Sequence, residues 1–197
     1  MLGVIHNSFY AFIRQNWGDA TCERIKEMSQ IPVERNHRIN TYYDDNQWQT
    51  LLKIASDELE MDADTLEWTF AYFSGEYLCR LFPGFLVGIN SARDMLLRQP
   101  RIHSTIGLSV DEPARRKQIN DKFTIIDNED GSLTMQYFSP NKMCTFYRGL
   151  ATWVGTQFDE KVVIAEHKCL KHGHELCEIH LTFEPVTEED VTLEEMA

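Results

Sequence analysis

Two groups of residues in this 197-residue chain have side chains suited to chemistry. The larger is a set of thiols and imidazoles in the C-terminal third: Cys144, His167, Cys169 and Cys177, with His172 and His174 beside them. Thiolate sulfur and imidazole nitrogen are good zinc ligands, and four such groups complete a tetrahedral site. The plainer alternative is that these cysteines are structural. The smaller group is one histidine, His103, which follows Gln99-Pro100 at the end of a long apolar segment. By type alone, a lone histidine is more often an ordinary core or surface residue than a ligand. Asp and Glu are plentiful, but no spacing joins two of them as an acid and base, so they read as a solvated acidic surface. The Walker loop, GxGxxG, HExxH and GxSxG patterns are all missing. Their absence points away from an enzyme.

These residues need elements to hold them. The N-terminal part, to about residue 100, reads as helical. From Trp48 to Leu59 the apolar positions Leu51, Leu52, Ile54, Ala55 and Leu59 recur at helical spacing, and Met61-Asp62-Ala63-Asp64 supplies a break and a new N-cap. A helix from about Thr65 to Cys79 follows. Phe82-Pro83-Gly84 stops it, and Phe85 to Leu97 resumes the helical spacing until Gln99-Pro100 ends the segment. The period then changes. Phe123 to Ile126, an Asp127-to-Gly131 turn, and Ser132 to Phe138 predict a β-hairpin with Leu133, Met135 and Tyr137 on one face. A helix is expected within Pro140 to Phe158, then a second hairpin from Lys161 to Glu166 and Leu176 to Phe183, joined by the Cys/His-rich loop. Helices followed by strands indicate an α+β fold, with an N-terminal helical part and a C-terminal antiparallel sheet carrying a packed helix.

At this length one domain is expected, spanning residues 1–183, with 1–100 mainly helical and 101–183 helix and sheet. The acidic tail 184–197 has little core material and reads as flexible. A net charge of -12 disfavours nucleic acid and anionic membranes and suits a basic partner surface. No apolar run is long enough to span a membrane and the start is no signal peptide, so a cytoplasmic protein is expected. Five cysteines, an odd number, argue against a disulfide framework. Cys22 and Cys79 read as core, as do most of Phe9, Trp68, Phe70, Tyr72, Phe73 and Tyr77.

The order of certain segments resembles the H-NOX family of haem-nitric oxide/oxygen binding domains. Those segments are Met1-Leu2-Gly3-Val4-Ile5-His6-Asn7, Phe82-Pro83, Ile102-His103-Ser104-Thr105-Ile106-Gly107-Leu108, Glu112-Pro113, Tyr137-Phe138-Ser139-Pro140-Asn141 and Gly149-Leu150. The resemblance implies haem b lying between the two parts, with His103 as axial ligand, Pro113 in its pocket, and Tyr137, Ser139 and Asn141 on the propionate side. The family motif there is Tyr-x-Ser-x-Arg, and its arginine is Asn141 in this chain. Asn donates a hydrogen bond but carries no charge, which leaves neighbouring Lys142 as a substitute point charge. In oxygen-binding members a distal tyrosine stands nine residues after the first motif tyrosine. Here that position is Phe146, which implies binding of nitric oxide and carbon monoxide and discrimination against oxygen. Tyr147, one helical step of about 100° away, is not expected to replace the hydroxyl.

The resemblance also implies a signal passed to a separate partner, such as a histidine kinase or diguanylate cyclase, when loss of the His103 bond frees its helix. Zinc is implied at Cys144, Cys169 and Cys177, which match a cysteine site of some bacterial members. His167 stands one residue closer to Cys169 than that pattern has its fourth ligand, so His172 and His174 are the alternatives. The runner-up is a haem-free or haem-optional zinc/thiol redox regulator of the same fold.

Overall fold

The computed structural model describes residues 1–32 and 36–187. Its N-terminal part contains α1 (Gly3–Trp17), α2 (Asp19–Met28), α3 (Asp45–Glu58) and α4 (Ala63–Leu81). The two aspartates before α3 and α4 start them: Asp44 accepts from the Asn46 and Gln47 amides, and Asp62 from those of Asp64 and Thr65. Each satisfies N–H groups that no helical carbonyl reaches. The apolar faces of these helices meet in one cluster built on Trp48, Phe9, Phe12, Phe70 and Leu51, all fully buried.

The continuous helix expected from Phe85 to Leu97 is not formed. A short 3-10 turn, Pro83–Leu86, is followed by Gly88 in a left-handed conformation at φ 73°, and α5 (Ala92–Leu97) begins only where Ser91 caps it. Pro100 then sits in the first turn of α6 (Gln99–Gly107), where a missing N–H costs nothing. His103 is therefore a helical residue, about one turn from Pro100 and from the end of α6 at Gly107.

After α7 (Pro113–Asn120) the chain forms β1 (Phe123–Asp127), β2 (Leu133–Tyr137), α8 (Cys144–Thr156), β3 (Glu160–Lys168) and β4 (Cys177–Pro185). Both expected hairpins are present. They join into one antiparallel sheet of order β1-β2-β4-β3, because β4 pairs with β2 as well as with β3. The helix expected within Pro140 to Phe158 begins later, at Cys144, after a turn in which Lys142 takes a φ of 49°. Strand β4 runs two residues past the expected boundary at 183, and of the acidic tail 188–197 lie outside the described residues.

Helix α8 covers the inner face of the sheet and crosses α4. Two glycines let them approach: a Cβ at Gly149 would lie 2.9 Å from that of Ala71, and a Cβ at Gly75 would lie 2.3 Å from the Trp153 ring. The sheet-side core collects Leu133, Met135, Ile179, Leu181, Ala151 and Val154. Among the described residues no helix is long and apolar enough to cross a membrane.

Candidate functional site

Between the two cores lies a cleft of about 1310 Å³, counting its open side. Its walls are apolar, with Ile5, Leu78, Phe82, Ile102, Leu150 and Trp153 among them. His103 opens into it from α6, with its ring centroid 4.6 Å from that of Phe123. Phe123 also touches Tyr137 at 5.1 Å and Tyr147 at 5.5 Å, so one aromatic wall backs the histidine. Burial, helped by the charge of Lys122, lowers the His103 pKa to about 3. The imidazole is thus neutral and keeps a nitrogen lone pair for a metal or a donor.

The structure separates the residues expected around this site. His103, Tyr137 and Phe146 line the cleft, and Phe146 rests on Phe70 at 5.2 Å. Ser139 and Asn141 are buried outside its lining. The Asn141 amide donates to Asp45 Oδ1 at 2.6 Å, so one of its two N–H donors is already engaged. Lys142, the expected substitute charge, is exposed. Pro113 is exposed at the start of α7, apart from the lining. Tyr147 stands next to Phe146 on α8. The 100° step does turn it from Phe146 toward a different wall, but the cleft runs between both walls and Tyr147 lines it too. Its hydroxyl is buried with no hydrogen-bond partner among the described residues, and burial pushes its pKa upward.

The polar end of the cleft was not legible in the sequence. Asp45 accepts from the Met1 ammonium at 2.7 Å, from the Tyr42 hydroxyl at 2.7 Å and from Asn141, and these contacts hold its pKa below the usual carboxylate range despite burial. Met1, Tyr42 and Lys122 line the cleft there. No spacing or motif marks Lys122; a single lysine between a helix and a strand reads as solvent-facing.

The second cluster lies behind Tyr137. In register, Phe123 pairs with Tyr137 and Tyr137 with Cys177, so cleft wall and thiols share one row of the sheet. Sγ atoms of Cys144, Cys169 and Cys177 lie within 4.8 Å of one another. Cys144 and Cys177 are 2.9 Å apart, well beyond a disulfide bond, and all three are free thiols. Hydrogen bonds from Cys144 and from the Leu170 amide, 3.2 Å away, hold the Cys177 pKa down, while donation to Cys177 and burial raise that of Cys144. His167 is not near them. The pairing slips between Glu166 and Lys168, leaving His167 as the extra residue of a β-bulge. It is exposed, with its ring 6.3 Å from that of His180. His174 is engaged with the Cys169 backbone. Glu166 and His172 are the groups that come within 4.8 Å of Cys169. Glu166 Oε1 is buried without a hydrogen-bond partner.

A family model described as haem-NO-binding matches residues 2–166. Solved structures share the fold. An H-NOX protein from S. oneidensis in the Fe(II)NO ligation state is 16% identical, with 93% of this chain and 99% of that one covered and a TM-score of 0.80. An Fe(II) unliganded H-NOX protein from K. algicida is 22% identical over 94% and 98%, with a TM-score of 0.74. An oxygen-binding H-NOX domain related to soluble guanylate cyclases, in its oxygen complex, is 16% identical over 95% and 98%, with a TM-score of 0.76. A search of curated proteins finds no match.

Proposed function

We propose, from the premise that this chain belongs to the haem-NO-binding family, that it holds haem b through His103 and senses nitric oxide. The observation that carries this reading is the neutral imidazole of His103 opening into a large apolar cleft between two packed cores. The donor set fits haem: a free ring nitrogen for iron, apolar walls for a flat macrocycle, and a polar end for its acidic groups. This fit favours the haem-holding reading over a haem-free redox regulator. When bound, haem supplies an iron that coordinates diatomic gases.

The residues of the chain set what that iron meets. Tyr147 shares the Phe123 wall with His103, whereas Phe146 belongs to the cluster of Phe70 and Phe9 and offers no donor. An apolar face beside Phe146 supports nitric oxide and carbon monoxide and discriminates against oxygen, which gains most from a hydrogen bond. Helix α6 buries only Gln99 and Gly107, and α7 beside it only Ile119, so the segment carrying His103 is lightly anchored and suited to move. The reader of that motion is a separate signalling protein such as a histidine kinase or diguanylate cyclase. The net charge of -12 suits a basic docking surface on it.

A second site is supported by the three thiols. Cys144, Cys169 and Cys177 hold zinc when reduced, with Glu166 or His172 rather than His167 as fourth ligand. Oxidation of these thiols to a disulfide removes the ligands.

The test is the absorption spectrum of the reduced full chain under argon, nitric oxide, carbon monoxide and air. A haem band that shifts reversibly with the first two gases and not in air is expected. Failure to take up haem overturns the reading, and a reversible shift in air overturns the gas selectivity.

A further inference from the structure

We propose that Lys122 is the cation that binds a carboxylate of the cleft's occupant, taking the part that Asn141 is unable to take. Given the haem reading, on which this rests, the carboxylate is a propionate. Among the residues lining the cleft Lys122 bears the one Lys or Arg side chain. Its backbone is fixed where α7 passes into β1: its N–H donates to the Ile119 carbonyl at 3.4 Å, and its carbonyl accepts from the Phe138 amide at 3.0 Å. The side chain is therefore presented at a set place on the cleft wall.

Among the described residues no carboxylate pairs with it. Asp45 is the acid whose field reaches it. Asp45 is already shared by the Met1 ammonium, the Tyr42 hydroxyl and the Asn141 amide. The Met1 ammonium also donates to the Tyr43 carbonyl at 2.7 Å. The Met1 ammonium and the Asn141 amide are thus both engaged, and among the described residues Lys122 is left as a partly buried ammonium without an ion pair. Burial pushes its pKa down accordingly. A desolvated, uncompensated charge gains strongly from an anion that arrives with the ligand, because the cost of dehydration has already been incurred in folding.

The occupant class follows from the same geometry. Apolar walls with one cation at the polar end select a largely apolar molecule carrying a carboxylate. Tyr137 also lines the cleft, and the Tyr42 hydroxyl at this end is held by Asp45; neither carries a charge.

The experiment compares the full chain with Lys122→Met, which keeps length and removes charge, and Lys122→Arg, which keeps charge. Each is loaded with haem or with haem dimethyl ester, whose propionates are uncharged, and the rate of transfer to apomyoglobin is followed. For haem, Lys122→Met is expected to release roughly ten- to a hundredfold faster, the range of a hydrogen bond to a charged group. Lys122→Arg is expected to stay near the original rate. For the diester, the original chain and Lys122→Met are expected to release alike. In the haem-free full chain Lys122→Met is expected to raise the melting temperature, since it removes a partly buried charge that has no ion pair among the described residues; a purely structural lysine would give the opposite sign. Equal haem release from Lys122→Met and the original chain overturns the assignment, as does the same acceleration with the diester, which would show packing rather than charge. Failure of the unaltered chain to take up haem is a separate outcome, and it removes the reading beneath the proposal as well.

Discussion

Gly75→Ala tests the crossing of α4 and α8 that shapes the cleft. A Cβ at this position would lie 2.3 Å from two atoms of the Trp153 ring and 2.7 Å from a third. Carbon atoms in contact settle about 3.5–4.0 Å apart, so the indole must retreat by more than an ångström. Trp153 is 9% exposed and packed within the sheet-side core, so the ring can yield only toward the cleft and at the expense of its core contacts. Overpacking of this kind costs about 1–3 kcal/mol. Against it stands the gain from replacing glycine inside a helix, up to about 1 kcal/mol. The net expectation is a loss of about 1–2 kcal/mol, or a fall of roughly 2–8 °C in melting temperature for a chain of this size. Thermal and urea denaturation of Gly75→Ala, Trp153→Leu and the double variant give the coupling between the two positions. Trp153→Leu removes the ring and should make the alanine neutral or favourable. If Gly75→Ala alone is as stable as the original chain or more so, the close crossing is wrong, and with it the wall that Trp153 lends to the cleft.

Three other outcomes are expected. His103→Gly should lose haem and regain it when free imidazole is supplied, as followed by absorption; full occupancy without imidazole would remove His103 as the ligand. Metal analysis of the reduced chain should find one zinc, abolished by Cys144→Ser or Cys177→Ser, weakened by one of Glu166→Gln and His172→Ala, and unchanged by His167→Ala; a zinc-free reduced chain after metal supply would refute the site. The third is a pH dependence. His6 is fully buried, and burial foremost, with the neighbouring His37, lowers its pKa to about 3. A histidine whose folded pKa is depressed contributes stability that is complete above the unfolded value near 6.5 and is lost as pH falls toward the folded one, by about 1.4 kcal/mol per pH unit. Denaturation of the original chain and His6→Gln between pH 7 and 5 should show a shallower slope for the variant; parallel slopes would place His6 in water.

Periodicity was enough to read the helices around Leu51 and Phe70 and both hairpins, because an apolar face repeats at the helical or strand period whatever it packs against. Local chemistry marked the Asp62 cap and the break at Pro83. His103 was singled out by the order of the segments around it, because type alone leaves a lone histidine ordinary, and the three cysteines by residue type; the structure sets the first on the cleft and brings the thiols together. What the sequence could not carry was direction across space. Whether α5 begins at Phe85 or at Ala92 depends on the turn through Gly88, and whether His167 or Glu166 faces the thiols depends on a bulge that arises only when β3 meets β4. Tyr147 lines the cleft because its two walls belong to different cores, which no helical wheel contains. Among the described residues Lys122 has no ion pair because Asp45, distant in the chain, is shared by Met1, Tyr42 and Asn141. Residue type and period are properties of the chain alone. Burial, pairing and the satisfaction of a charge are relations between segments, and they exist only once the segments have been brought together.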